Sequence, residues 1–210
     1  MGNLFSVRHA CDHAGMEGVV TSSRGDILDS DVVILPGVGA FGDAMANLEG
    51  LGLADLLRGI ALSGKPFLGV CLGMQLLMSE SYEFGRRAGL GIVPGKVLRL
   101  ENRIGESEPV KVPQVCWNAL RRVERREDPW EGTPMRGFPD GVFMYFVHSY
   151  YVKPEDDSVS IAVTRHGAQS FCSALRLGNI FACQCHPERS GPRGLEFYRN
   201  LAGIVKAYRR

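Results

Sequence analysis

Two short apolar runs constrain this chain most. Asp31-Val32-Val33-Ile34-Leu35 ends at Pro36-Gly37, and Pro66-Phe67-Leu68-Gly69-Val70 leads straight into a helical run from Leu72 to Glu80. Neither run alternates apolar with polar residues. That marks strands buried on both faces, the kind found in parallel sheets covered by helices. Helical stretches near residues 40–50 and 53–62 lie between them. Strand, helix, strand, helix at this spacing predicts an α/β fold with a doubly wound, mostly parallel sheet and flanking helices.

The remaining pattern fills in around that frame. Asn3 to Ala14 reads as a helix stopped by Gly15, with a short strand at Val19-Val20. Residues 92–100, 109–123, 142–152, 159–164 and 170–185 form a β-rich second half punctuated by Pro, Gly and Asp. Gly191 to Tyr208 closes it as an amphipathic helix, with Leu195, Tyr198, Leu201, Ile204 and Val205 on one face. Arg121 to Glu131 is dense in charge of both signs and reads as a solvated loop. With no repeat and no long linker, residues 1–210 read as one domain. A doubly wound sheet usually opens on a buried strand, whereas this chain opens on a helix. The first strand of the pattern is therefore missing, either replaced by another element or lying upstream.

Charge and composition exclude several partners. With 24 basic against 23 acidic residues the net charge is +1, which gives nucleic acid or an anionic membrane no electrostatic hold. The chain is 45% hydrophobic and lacks an apolar stretch near the ~20 residues a bilayer span needs. Met1-Gly2-Asn3-Leu4-Phe5-Ser6 fits the permissive N-myristoylation pattern, but no polybasic patch or second lipid site follows to make anchoring stable. The six cysteines include no C-x-x-C pair and no secretory signal accompanies them, so reduced thiols in a cytoplasmic protein are the expectation.

One of those thiols sits where a nucleophile belongs. Gly69-Val70-Cys71-Leu72-Gly73 is the cysteine form of a nucleophile elbow, a tight turn from buried strand to helix whose glycines relieve crowding. At a helix start the backbone N–H groups favour a thiolate and offer an oxyanion donor, with the Leu72 amide nearest. On the pentapeptide alone, a buried structural cysteine between strand and helix is an equally good reading. Acyl transfer also needs a base and a group to orient it. His186-Pro187-Glu188 follows the strand Asn179 to Gln184, and its carboxylate can fold back onto the imidazole. His148 closes another strand and is the alternative base, while His9 and His13 read as surface residues. The loop Pro36-Gly37-Val38-Gly39-Ala40-Phe41-Gly42 lacks P-loop and dinucleotide spacing, and fits a second oxyanion donor through the Val38 amide. Cys172, Cys183, Cys185 and His186 offer zinc's ligand types without the usual spacing, so neither a metal nor a cofactor is expected.

Taken together, Gly69 to Gly73 and His186-Pro187-Glu188 resemble the class I glutamine amidotransferases. Within them the resemblance is finest to the glutaminase subunits of imidazole glycerol phosphate synthases. It is carried by Met1 to Leu4, Leu35 to Met45, Pro66 to Leu77, Lys111-Val112-Pro113 with Trp117-Asn118, Tyr145 to Tyr150 and His186 to Gly191. The resemblance implies Cys71 as acyl nucleophile, His186 as base and acid, and Glu188 as its orienter. Gln75, Glu83 and the Ser149-Tyr150 backbone would contact glutamine, and Gly37, Val38 and Gly39 with Leu72 would form the oxyanion site. It further implies a heterodimer with a TIM-barrel cyclase that receives ammonia and makes imidazole glycerol phosphate and AICAR in histidine biosynthesis. A glutaminase serving another synthase, such as one aminating a surface-polysaccharide sugar, shares these motifs. A binding subunit that kept the fold without the reaction is the reading of a different class, and the intact Cys71, His186 and Glu188 argue against it. The chain departs from the pattern in lacking the opening strand that ends in Asp-Tyr-Gly. It also has Arg189 for a usual Lys near the cyclase, Cys116 for a Gly, and Cys183 and Cys185 around Gln184.

Overall fold

A computed structural model describes residues 2–102, 109–124 and 127–208. Met1 of the N-terminal motif and residues 125–126 of the charge-dense stretch lie outside them. In chain order come α1 (Gly2–His13), α2 (Arg24–Asp29), β1 (Val33–Gly37), α3 (Phe41–Gly50), α4 (Ala54–Leu62), β2 (Phe67–Cys71), α5 (Leu72–Leu76), β3 (Met78–Ser81) and β4 (Arg87–Ala88). Then follow β5 (Val93–Arg99), β6 (Gln114–Arg122), β7 (Val142–His148), β8 (Tyr150–Pro154), β9 (Ser160–His166), β10 (Gln169–Leu177), β11 (Ile180–Cys183) and α6 (Gly191–Tyr208).

The sheet runs β1-β2-β11-β10-β8-β5-β3-β4, with β9 paired to β10 and β6, and β7 to β6. The two apolar runs behave as the pattern requires: β1 and β2 pair in parallel, and β2 is buried at every residue. The sheet as a whole is mixed, which corrects the mostly parallel expectation. Among the described residues only β1–β2, β2–β11 and β3–β5 are parallel, and the other seven pairings are antiparallel. Short turns explain it. Gly167 and Gly178, both at positive φ, reverse the chain between β9 and β10 and between β10 and β11, and connections that short join antiparallel strands only.

Side chains alternate across this sheet into two cores. Leu68, Val70, Phe181 and Cys183 join α1 and α6 on one face, including Phe197, Tyr198, Leu201 and Val205. Phe67, Ile180 and Ala182 join α3, α4 and α5 on the other, through Phe41, Met45, Leu57 and Ile60. Two local expectations fail. Val19 and Val20 form no strand and are 66% and 54% exposed; β1 hydrogen-bonds β2 on one edge, and no described strand lies on its other edge to offer those valines a ladder. The helical run after Cys71 stops at Leu76, because Met78–Ser81 pairs with β5 and β4 instead. Helix α2 was not foreseen; the Ser23 side chain caps it by accepting from Asp26 N.

Candidate active site

Strand β2 ends on Cys71 and α5 begins on the next residue, so the chain must turn within one peptide. It does so by holding Cys71 at φ 55°, ψ −108°, a conformation that costs a non-glycine residue ~1–3 kcal/mol. The flanking glycines make the turn possible. A Cβ on Gly73 would lie 1.7 Å from the Leu35 carbonyl oxygen, and one on Gly69 would lie 3.1 Å from both Ala182 Cβ and Met74 N. Their absence lets α5 close onto β1 and β2, which presents the thiol at the C-terminal end of an interior strand.

The second part comes from the turn after β11. Pro187, with its fixed φ, starts a 3₁₀ turn (Pro187–Arg189) that brings Glu188 back toward His186. The Glu188 Oε1 to His186 Nδ1 distance is 2.7 Å, and the side chains are 0% and 1% exposed. His186 is fixed from its backbone too: its N–H donates to Tyr145 O at 2.8 Å and its carbonyl accepts from Ser190 Oγ at 2.7 Å. Burial alone would disfavour the imidazolium. Hydrogen bonds and charge from Cys71 and Glu188 outweigh it and push the His186 pKa up to about 10. The ring thus sits between a thiol and a carboxylate, and keeps its proton at neutral pH.

A cavity of about 240 Å³ opens beside the thiol, lined by Val38, Gly39, Cys71, Leu72, Gln75, Glu83, Val147, His148, Ser149 and Tyr150. Every substrate-site residue named from the sequence is here except Gly37, which ends β1 in register with Cys71 and does not line the cavity. Glu83 Oε2 accepts from Phe41 N at 2.5 Å, tying the start of α3 to the cavity where Ala40 supplies no side-chain cap. Gln75 is buried and donates from Nε2 to Tyr150 O at 2.9 Å and to Gln184 Oε1 at 3.1 Å. Gln184 in turn donates from Nε2 to Cys71 Sγ at 3.5 Å. Sequence reasoning passed over Gln184; its signal was a lone amide inside an apolar, cysteine-flanked strand end.

His148 also lines the cavity, but in a different state. Its Nδ1 lies 2.8 Å from Tyr150 O, and burial drives its pKa down to about 4, so it is neutral and has no carboxylate orienter. His9 and His13 are exposed on α1. Among the described residues no group of three or more His, Cys, Asp or Glu is arranged to hold a metal; Cys172 and Cys183 bond to Ala174 O and Cys185 O instead. Cys116 is exposed. The Arg189 guanidinium stacks 4.6 Å over the Tyr145 ring, which itself packs edge-on against Trp117 and tilted against His186. No helix among the described residues is long and apolar enough to cross a membrane.

Comparison with known proteins gives the family. The family model "Glutamine amidotransferase class-I" matches residues 8–202. The imidazole glycerol phosphate synthase subunit HisH of Moorella thermoacetica is 45% identical over 206 residues, covering 98% of this chain and 92% of that one. The protein of the same name from Aquifex aeolicus is 45% identical over 202 residues, covering 96% and 91%. A crystal structure of a glutamine amidotransferase superposes with a TM-score of 0.70 at 18% identity, covering 96% of this chain and 93% of that chain, which speaks to fold alone. With a family match across most of its length and relatives at this identity, the chain belongs to the class-I glutamine amidotransferases.

Proposed function

We propose that this chain is the glutaminase subunit of an imidazole glycerol phosphate synthase, acting as one amidotransferase domain over residues 1–210 in the cytoplasm. The observation that carries the reading is the strained Cys71 beside a buried His186–Glu188 pair. In this reading Cys71 Sγ attacks the side-chain carbonyl carbon of glutamine, and the carbonyl π electrons move onto its oxygen. The Leu72 and Val38 amides hold that oxyanion. The proton on His186 passes to the departing nitrogen, so ammonia leaves and a thioester remains. His186 then takes a proton from water, whose oxygen attacks the thioester. Collapse releases glutamate and returns the thiolate–imidazolium pair. Glu188 orients the ring throughout and balances its charge. Glu83, Gln75 and the Ser149–Tyr150 backbone hold the substrate.

The partner reading draws on the outer face of the β6–β7 hairpin. Val115, Trp117 and Phe143 are 52%, 51% and 59% exposed there, and cross-strand pairing sets Trp117 opposite Tyr145 and Val115 opposite Val147. That apolar face borders the cavity through Val147. It is the surface we assign to the cyclase, which is to receive ammonia before bulk water protonates it.

Glutamate release is to be measured with and without a cyclase of this synthase loaded with its nucleotide substrate. Strong stimulation by the loaded cyclase is expected, together with loss of glutamine-dependent turnover in Cys71→Ala and survival of ammonia-dependent cyclisation. Glutamine use retained by Cys71→Ala would refute the triad. Turnover indifferent to the cyclase would assign the glutaminase to another synthase.

A further inference from the structure

We propose that Gln184 is a catalytic residue of this site: its side-chain amide donates a hydrogen bond to Cys71 Sγ and stabilises the thiolate that attacks glutamine. The proposal rests on the reading of Cys71 as nucleophile and adds to it a donor that the elbow and the His–Glu pair do not supply.

The direction of the bond follows from the surrounding groups. Tyr150 O is a backbone carbonyl and can only accept. Gln75 therefore turns its Nε2 toward it, and the same NH₂ group donates its second proton to Gln184 Oε1. With its oxygen committed to Gln75, Gln184 must present Nε2 to Cys71 Sγ, 3.5 Å away. Reversing this amide would set two NH₂ groups against each other and turn Gln184 Oε1, an acceptor, toward the sulfur. Such a reversal leaves buried groups unsatisfied, which is costly at a residue 0% exposed. The chain from Tyr150 O through Gln75 and Gln184 is thus polarised toward the sulfur. The two neighbours of Gln184, Cys183 and Cys185, share a core with Cys71, but the Cys183 thiol donates to Cys185 O, which leaves the Gln184 amide as the hydrogen bond this part of the chain gives the nucleophile. An N–H donor stabilises a thiolate more than a thiol, because hydrogen bonds to ionised acceptors are the stronger ones.

The amide has a second consequence. While Sγ is anionic the bond is strong, and once the thioester forms the sulfur loses its charge and the bond weakens. Gln184 therefore favours the thiolate states before attack and after product release over the acyl intermediate, and so favours resetting the site.

The test is alkylation of Cys71 by iodoacetamide on the full-length chain, followed across the neutral pH range by mass spectrometry of the Cys71 peptide. Wild type is compared with Gln184→Met, which keeps the length and loses the donor. His186 before the 3₁₀ turn with Glu188 on it, Cys183 on β11, and His148 on β7 and Glu83 after β3 across the cavity are the titratable groups around the site in both proteins, so their influence cancels in the comparison. The variant is expected to alkylate about tenfold more slowly at neutral pH, with the profile's midpoint about one pH unit higher. Its glutamine-dependent kcat with the loaded cyclase is expected to fall about tenfold with KM within about twofold. An unchanged alkylation profile in a variant melting like wild type overturns the proposal. Should Gln184→Met fail to fold, the wild type itself decides. The Gln184 side-chain ¹⁵N–¹H resonances must shift when Cys71 is alkylated, and unshifted resonances overturn the proposal equally. Loss of glutamine use in Cys71→Ala alongside either negative result would leave the glutaminase reading standing and Gln184 without a role in it.

Discussion

Replacing Gly73 by alanine probes how tightly the elbow is built. The new Cβ would lie 1.7 Å from Leu35 O, half the 3.4 Å at which ordinary contact begins. Neither side yields cheaply, because Leu35 O is a backbone atom and an alanine Cβ is fixed rigidly to its Cα. Leu35 is held in β1 by its register with Gly69, and Gly73 lies in α5, which is buried at every residue. The helix must therefore lift off the sheet by more than an ångström, taking the end of β2 with it. Overpacking costs ~1–3 kcal/mol, and a backbone obstacle puts this case at the upper end, ~3 kcal/mol. In a chain of this size each kcal/mol lowers Tm by roughly 2–4 °C, so a fall of about 6–12 °C is expected. Misplacing the nucleophile by about 1 Å should also cut turnover ~10²-fold. Thermal melting by circular dichroism and glutamate release by the loaded complex measure the two effects separately. Gly69→Ala, which meets its neighbours at 3.1 Å, should do the same more mildly. A Gly73→Ala protein melting within about 2 °C of wild type would refute the packing argument.

Other perturbations test the charges and surfaces around the elbow. Glu188→Gln removes the carboxylate that helps hold the His186 pKa near 10; kcat should drop ~10²-fold with little change in KM, as initial-rate kinetics would reveal. The two buried histidines make stability fall on both sides of neutrality. His186, raised from 6.5 to about 10, contributes stability that is complete below pH 6.5 and lost as pH rises toward 10. His148, lowered from 6.5 to about 4, contributes stability that is lost as pH falls from 6.5 toward 4. Urea midpoints should therefore peak near pH 6.5, and a midpoint still rising between pH 7 and 10 would contradict the assignment. Phe143→Asp places a charge on the exposed β6–β7 face. It should weaken cyclase binding at least tenfold by titration calorimetry, about the effect of losing one interface anchor, while leaving Tm nearly unchanged.

The elbow was legible because its demands are local. A buried strand, a glycine on each side and a helix directly after are all written within Gly69 to Gly73, and the same holds for His186-Pro187-Glu188. Helix α6 was legible because its period runs over many turns, although Phe197, buried at 1%, was left off the face. Strand direction was not legible, since an apolar run reads alike whether its neighbour runs with or against it. Only the reversals at Gly167 and Gly178 carried that information. Met78–Ser81 suits a helix by local preference and became a strand because β5 lay alongside. Val19-Val20 had strand-forming residues and no neighbour, and pairing is what makes a strand. Gln184 escaped notice because its meaning depends on Gln75 and Cys71, each more than a hundred residues away in sequence. The signal for α2, Ser23 three residues before Asp26, was present and went unread.

The conformation of Cys71 implies that this protein is not as stable as its own chain permits. At φ 55°, ψ −108° a glycine would sit without protest, whereas cysteine is held there by the packing of β1, β2 and α5 around it. Cys71→Gly should accordingly melt higher than Cys71→Ala, even though both have lost the sulfur. The best scaffold and the working enzyme are then different sequences, separated at one position. In the mechanism proposed above, the strain at this position is what it costs to hold a thiol there.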